Sequence, residues 1–277
     1  MYKLIVNDID GTLIRSDFTI SDYTKSVIWE AREAGVEFLL VTGRLFGAVK
    51  RYTRELKLDS PVISCNGGVR KNSVTGELQA GSPISKEALA QVFRILMDDE
   101  IYFHFYGEEN FYSQKFAYDG AGLYRLNQSL REEDRFPMFE VKDPFAVLEQ
   151  EAIYKVLFRC AEPEDRLYYK ELFQQLPGIA LTSSWSDNYE ICAEGVNKGR
   201  AIQAYAESRG ISREEIISFG DNINDIEMIQ FAGMGVAVAN AEQELLDVAD
   251  VITESNENDG VARAIERFVL GRERNHG

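Results

Sequence analysis

Near the amino terminus, three apolar residues, Leu4-Ile5-Val6, run into the polar stretch Asn7-Asp8-Ile9-Asp10-Gly11-Thr12. A short apolar run that stops abruptly reads as a buried strand meeting a turn. Gly11 breaks the strand, and Thr12 is placed to bond freed backbone groups. In extended backbone Asp8 and Asp10 project from the same side, ~7 Å apart. Two carboxylates thus sit at the carboxyl end of a central strand, where open α/β sheets hold their ligands. An Asp-Gly turn alone would be an ordinary polar stop, so the reading depends on partners further along the chain.

Those partners recur with a rhythm. Residues 21–34 read as a helix capped by Ser21, with Tyr23, Val27, Ala31 and Ala34 as an apolar stripe and Gly35 as its end. Strand 36–41 stops at Thr42-Gly43-Arg44, a helix follows over 45–57, and strand 61–64 stops at Cys65-Asn66-Gly67-Gly68. Strand, polar stop and helix in alternation predict a doubly wound, mostly parallel Rossmann-like α/β sheet.

The rhythm lapses near Gly81-Ser82-Pro83. A helix over 85–98 precedes alternating 101–106 and a hairpin through 107–110 into 111–113. Residues 117–150 carry mixed signals, with Pro137 and Pro144 as breaks. Strands near 153–159, 179–183 and 188–192 and a helix over 163–175 complete an α+β grammar. From Gly195 the first rhythm returns: helix 198–209, strand 216–219, the stop Gly220-Asp221-Asn222, helix 224–232, strand 236–238, helix 242–248, strand 251–253 and helix 260–269. The expectation is one α/β core from 1–81 and 194–277, interrupted by an inserted second domain of α+β character over 82–193, with a frayed tail over 271–277.

The 277 residues carry a net charge of −16, which suits neither nucleic acid nor an anionic membrane surface. A small anionic substrate stays compatible, because a metal ion reverses the sign inside one cleft. Cys65, Cys160 and Cys192 are sparse and odd in number, as in a reducing compartment. No early apolar run reads as a signal peptide, and none approaches the ~20 residues of a membrane span. The expectation is a cytoplasmic protein.

In a doubly wound sheet the stops at Asp8/Asp10, Thr42-Gly43 and Gly220–Asp225 converge with Lys198 on one edge. Up to four carboxylates then crowd together, and like charges ~4 Å apart repel by about 4 kcal/mol at an effective dielectric of 20. Such a cluster requires protonation or a cation. With no histidine or cysteine in these motifs, Mg²⁺ with retained waters fits better than zinc.

In order and spacing, these motifs resemble the haloacid dehalogenase superfamily, specifically its Cof-type phosphatases. The match runs through D-x-D-G-T at Asp8–Thr12, T-G-R at Thr42–Arg44, N-G-G at Asn66–Gly68, G-V-x-K-G at Gly195–Gly199 and G-D-x-x-N-D at Gly220–Asp225. Asn240-Ala241 and the loop Asn256 to Ala262 continue it. The resemblance implies that Asp8 is a nucleophile forming an aspartyl phosphate, and that Asp10 moves protons and therefore needs a raised pKa. It implies Mg²⁺ held by Asp8, the Asp10 carbonyl and Asp221, and an insertion over 82–193 that is the family's substrate-selecting α/β cap. Thr42, Gly43 and the Ile9 N–H would bind the phosphoryl oxygens with Lys198, and Asn224 would contact phosphate or substrate.

Other positions stay open. Asp225 either supports the metal shell or faces a helix dipole, and Arg44 either touches substrate or forms a surface salt bridge. Asn7 and Ala239 depart from the family pattern, which unsettles the hydrogen bonds behind the nucleophile and the role of Asn240. Cys65 reads as a small buried residue and His104 as a core or cap-surface histidine. The aromatics 102–112 read mainly as cap core, with one or two left to face a substrate.

The function this implies is Mg²⁺-dependent hydrolysis of a small phosphorylated metabolite, sugar phosphates first, with flavin mononucleotide or pyridoxal phosphate behind. The alternatives are a phosphomutase and a binding protein that has lost catalysis. The expected assembly is a monomer or weak homodimer without nucleic-acid or membrane partners.

Overall fold

The computed structural model describes residues 1–160, 162–184 and 187–272. Fourteen strands are described in chain order. The first five are β1 (Leu4–Asn7), β2 (Glu37–Val41), β3 (Val62–Ser64), β4 (Val69–Lys71) and β5 (Leu78–Gly81). Next come β6 (Phe103–Tyr106), β7 (Phe111–Ser113), β8 (Met138–Glu140), β9 (Lys155–Arg159), β10 (Ile179–Thr182) and β11 (Asn188–Ala193). The last three are β12 (Ile216–Gly220), β13 (Met234–Ala237) and β14 (Val251–Ile252).

They form two sheets. The larger has the order β14-β13-β12-β1-β2-β3-β4-β5 and is parallel from β14 to β3. Its side chains alternate between two buried faces. Ile5, Phe38, Leu40, Ile217 and Phe219 pack with Val27, Ile28, Ala31 and Ile265, whereas Leu4, Val6, Leu39, Val41 and Ile216 pack with Ile202, Tyr205 and Met228. A strand buried on both faces reads as a continuous apolar run, as β1 and β2 do. The smaller sheet, β10-β11-β9-β6-β7-β8, is antiparallel except for β7–β8 and carries its own apolar cluster around Phe93, Phe103, Phe105 and Phe158.

Several elements differ from the sequence reading for identifiable reasons. The α/β rhythm does not stop at β3, because β4 and β5 extend the sheet as an antiparallel edge. Every residue of β5 is exposed, so it carries no hydrophobic alternation. The first helix spans Asp22–Glu33 with the Ser21 cap in place, but it buries Thr24, Val27, Ile28 and Ala31 while Tyr23 faces solvent. The helix expected over 45–57 is a tight turn, Phe46–Val49, followed by a short helix, Lys50–Glu55. The unparsed region contains a helix, Tyr118–Ser129, then β8 and a helix, Pro144–Leu148. Pro144 starts that helix rather than breaking one: it sits after Asp143, whose carboxylate accepts from the Phe145 N–H at 3.0 Å. Of the expected frayed tail, residues 273–277 lie outside the described residues.

Candidate active site

Asp8 follows the last residue of β1, and its N–H donates to the Phe219 carbonyl of β12 at 3.1 Å. The neighbouring strand ends are thereby held in register, so the loop after β12 presents Asp221 and Asp225 beside Asp8. Lys198 is the first residue of the helix Lys198–Arg209, whose Asn197 cap accepts from the Arg200 N–H at 2.7 Å. Its Nζ reaches Asp8 Oδ1 at 2.7 Å and Asp225 Oδ1 at 2.6 Å, and all three side chains are buried. Burial opposes the Lys198 charge, but Asp225 and Asp8 outweigh it and hold the ammonium protonated.

Asp225 is fully committed. Its Oδ2 accepts from the Asp221 and Asn222 N–H groups at 3.0 and 3.1 Å, while its Oδ1 accepts from Lys198. Asp221 accepts from the Thr12 hydroxyl at 2.6 Å. Thr12 therefore bonds a side chain, not the freed backbone groups expected of it.

Asp8, Asp221 and Asp225 each place a carboxylate oxygen within 4.8 Å of the others. Burial pushes the Asp8 carboxyl up to about 7, with Lys198 opposing and the Asp225 and Asp10 charges adding. Asp221 is raised well above the usual carboxylate range by burial and by the charges of Asp8 and Asp225. Three crowded carboxylates with one lysine form an oxygen-only donor set short of positive charge, which fits a hard divalent cation. Both Asp225 oxygens accept hydrogen bonds, whereas Asp8 and Asp221 are each bonded through Oδ1.

Asp10 differs from its expectation. Arg44 grips it bidentately, Nε to Oδ2 at 2.6 Å and Nη2 to Oδ1 at 2.5 Å. Burial pushes the Asp10 carboxyl upward, but the Arg44 charge and hydrogen bonds outweigh it, so the pKa is lowered rather than raised. The Arg44 salt bridge thus lies inside the cleft, not on the outer surface.

Thr42 follows β2, with its N–H on the Ile63 carbonyl at 2.9 Å and its hydroxyl accepting from the Arg44 N–H at 3.1 Å. Asp8, Asp10, Thr42, Gly43, Arg44, Asp221 and Asn224 line one cleft of about 190 Å³. The Ile9 side chain points away into the core. Asn224 is buried and donates to Asn66 Oδ1 at 3.3 Å.

The cleft has a second wall from the smaller sheet and its loops: Tyr106, one of the aromatics left open to face a substrate, and Lys155, Leu157, Ser184 and Glu190, which sequence reasoning missed. The available signal was a charge inside an apolar strand, Lys155 opening β9 and Glu190 between Tyr189 and Ile191. Ordinary alternation hides such positions, because every second residue of a strand is free to be polar. The other expectations are readily placed. His104 is buried in the smaller sheet, where burial lowers its pKa to about 3, and Cys65 is buried with its thiol pushed up to about 12. Asn7 is buried behind Asp8 and donates to its carbonyl, while Asn7 Oδ1 has no partner among the described residues. Asn240 donates to the Gly11 carbonyl at 2.8 Å and accepts from the Asn256 N–H at 3.0 Å, tying the first loop to the last.

Gly11 is the tighter of the two glycines that line the cleft. Its φ is +73°, and a Cβ there would lie 2.3 Å from Asp221 Oδ2. Gly11→Ala is expected to cost about 1–3 kcal/mol in backbone strain alone and to displace Asp221. Urea denaturation checks the stability, and Mg²⁺ titration by calorimetry checks the displacement. Unchanged values in both would contradict this geometry.

The family profile of haloacid dehalogenase-like hydrolases matches residues 5–265. The chain is 31% identical over 291 residues to the putative phosphatase YxeH of Bacillus subtilis, covering 98% of this chain and 100% of that one. It is 30% identical over 268 residues to the Bacillus subtilis 5-amino-6-(5-phospho-D-ribitylamino)uracil phosphatase YcsE, covering 97% and 96%. A solved haloacid dehalogenase-like hydrolase from Bacteroides thetaiotaomicron is similar at a TM-score of 0.82 and 28% identity, over 96% of this chain and 99% of that one. No described helix is long and apolar enough to cross a membrane. The chain belongs to the haloacid dehalogenase-like hydrolases, and it is a phosphatase of the Cof type.

Proposed function

We propose that the protein hydrolyses a small phosphorylated metabolite, sugar phosphates first, through a phosphoryl group carried on Asp8 with Mg²⁺ as cofactor. The observation that carries this reading is the Lys198 bridge between Asp8 and Asp225 beside Asp221, with Asp10 facing the same cleft.

An Asp8 oxygen attacks phosphorus, and the bond from phosphorus to the leaving oxygen breaks as the new one forms. Asp10 gives its proton to that alkoxide, then takes one from the water that cleaves the aspartyl phosphate, releasing inorganic phosphate and restoring Asp8. The Arg44 grip on Asp10 gives this proton transfer a trigger. An arriving phosphate dianion competes for the guanidinium, and a carboxyl freed from it regains proton affinity. Lys198, the Thr42 hydroxyl and the N–H groups of Gly43 and Ile9 balance charge on the phosphoryl oxygens, which is most of what phosphoryl transfer requires. Asp8, Asp221 and the Asp10 carbonyl would hold Mg²⁺, which supplies charge neutralisation at the phosphoryl group and keeps Asp8 ionised. Asp225 positions Lys198 and the Asp221 loop. Asn224 contacts the substrate or its phosphate.

The relative YcsE, by its name, acts on 5-amino-6-(5-phospho-D-ribitylamino)uracil, whose phosphate sits on a ribityl chain. The cleft of about 190 Å³ is below the roughly 300–1,000 Å³ usual for ligand pockets. That volume favours a compact polyol or sugar phosphate, with the residues over 82–193 acting as a closing, substrate-selecting cap. Phosphate release measured across a metabolite panel with Mg²⁺ tests the reading. Sugar phosphates are expected to lead, and release from none of the panel would overturn it. Phosphate returned to a hexose instead of to water would favour a mutase.

A further inference from the structure

Between the two walls of the cleft lies a charged pair to which no catalytic step has been given. Lys155 Nζ and Glu190 Oε1 are 2.8 Å apart, and their side chains are only 2% and 3% exposed. Each also reaches across to the larger domain. Lys155 donates to the Gly43 carbonyl at 2.6 Å, and Glu190 Oε2 accepts from Asn66 Nδ2 at 2.5 Å.

These contacts converge on one loop. Asn66 donates its N–H to the Thr42 carbonyl at 3.0 Å, and its Oδ1 accepts from Asn224 at 3.3 Å. The segments after β2, β3 and β12 are therefore tied to a single pair on β9 and β11. The fit leaves no slack: a Cβ on Gly43 would lie 2.9 Å from Asn66 Oδ1 and 3.3 Å from Lys155 Nζ. On the far side, the Ser184 hydroxyl donates to Glu190 Oε1 at 2.9 Å and holds the carboxylate's orientation.

A buried ion pair is weak as a source of stability, because desolvation consumes most of its Coulomb gain. One placed on a seam between domains, with each member bonded across it, is better suited to sensing whether the seam is shut. We propose that Lys155 and Glu190 are positioning residues that lock the Thr42–Arg44 loop into its phosphate-binding conformation only when the cap is closed. The inference rests on the phosphatase reading above. Opening the cap removes the bonds to Gly43 and Asn66, so the loop that would bind the phosphoryl group is rigid only over an enclosed substrate.

The test is the double variant Lys155→Met/Glu190→Leu, which removes both charges with little change in bulk. Replacing a buried pair by apolar residues commonly preserves stability, so the thermal midpoint is expected to hold. With Mg²⁺ and an aryl phosphate, kcat is expected to fall about 100-fold, the scale of a small misplacement of binding groups. Amide hydrogen exchange across Thr42–Arg44 is expected to accelerate, and Lys155→Arg, which keeps a donor in reach of both acceptors, to recover part of the rate. Wild-type kcat in the double variant would overturn the proposal. So would lost activity with unchanged exchange in that loop, since the pair would then act elsewhere. If the wild-type protein releases no phosphate from any ester, the phosphatase reading fails instead, while the exchange result still judges the coupling.

Discussion

Asp8→Asn is expected to lose phosphate release by on the order of 10⁵-fold, the scale seen when a covalent nucleophile is removed. The amide keeps the shape of the carboxylate but cannot attack phosphorus. The fold should survive the change, because Lys198 retains Asp225 at 2.6 Å and the backbone bond from Asp8 to Phe219 is untouched. Without metal the variant should even match or exceed the thermal midpoint of the wild type. It removes one of three carboxylates that lie within 4.8 Å of one another. Steady-state kinetics and a thermal scan on the same sample check both halves. Retained turnover would exclude Asp8 as nucleophile, and collapse of the fold would exclude the crowding argument.

The second large effect is a pH-dependent response to Mg²⁺. Asp8 is raised from the ordinary carboxylate value to about 7, and Asp221 is raised with it. A raised carboxyl binds its proton more tightly in the folded state. Its contribution is full below the unfolded pKa and is lost as pH climbs from about 4 through about 7, at up to roughly 1.4 kcal/mol per pH unit per proton. Asp10 and Glu190 are lowered and act in the opposite sense, but only under more acidic conditions. Metal-free protein should therefore lose stability between pH 5 and 8, and Mg²⁺ should restore it most at the upper end. At a hundredfold excess over Kd the gain is about 2.7 kcal/mol, roughly 5–10 °C in thermal midpoint. Scans with Mg²⁺ and with a chelator at pH 5 and pH 8 measure it. An equal gain at both values, or none, would contradict a cation between Asp8 and Asp221.

Much of the core was legible because its strands end where chemistry begins. Asp8, Thr42 and Asp221 each follow an apolar run, and a parallel sheet leaves those ends on one edge. Lys198 was legible from its flanking glycines. The edge strand β5 was not, since a fully exposed strand has no apolar face to mark it. Nor was the Asp10–Arg44 pairing: it joins residues 34 positions apart, and nothing local says which carboxylate a guanidinium will choose. Lys155 and Glu190 were hidden for the same reason, because they bond Gly43 and Asn66 across from the smaller sheet to the loops of the larger one. Residues over 82–193 conveyed an α+β character, but side chains facing the cleft cannot be told from those facing solvent by alternation alone.

In the proposed reaction a phosphoryl group resides on Asp8 between two half-reactions. Asp10→Asn should allow the first half with a good leaving group and slow the second, so the intermediate accumulates. Rapid acid quench of that variant with Mg²⁺ and an aryl phosphate, followed by peptide mass analysis, measures it directly. A single added phosphoryl group on the peptide containing Asp8, gained with the burst of released phenol, is the predicted result. Phenol released with no phosphorylated peptide, or with the group on any other residue, would contradict it.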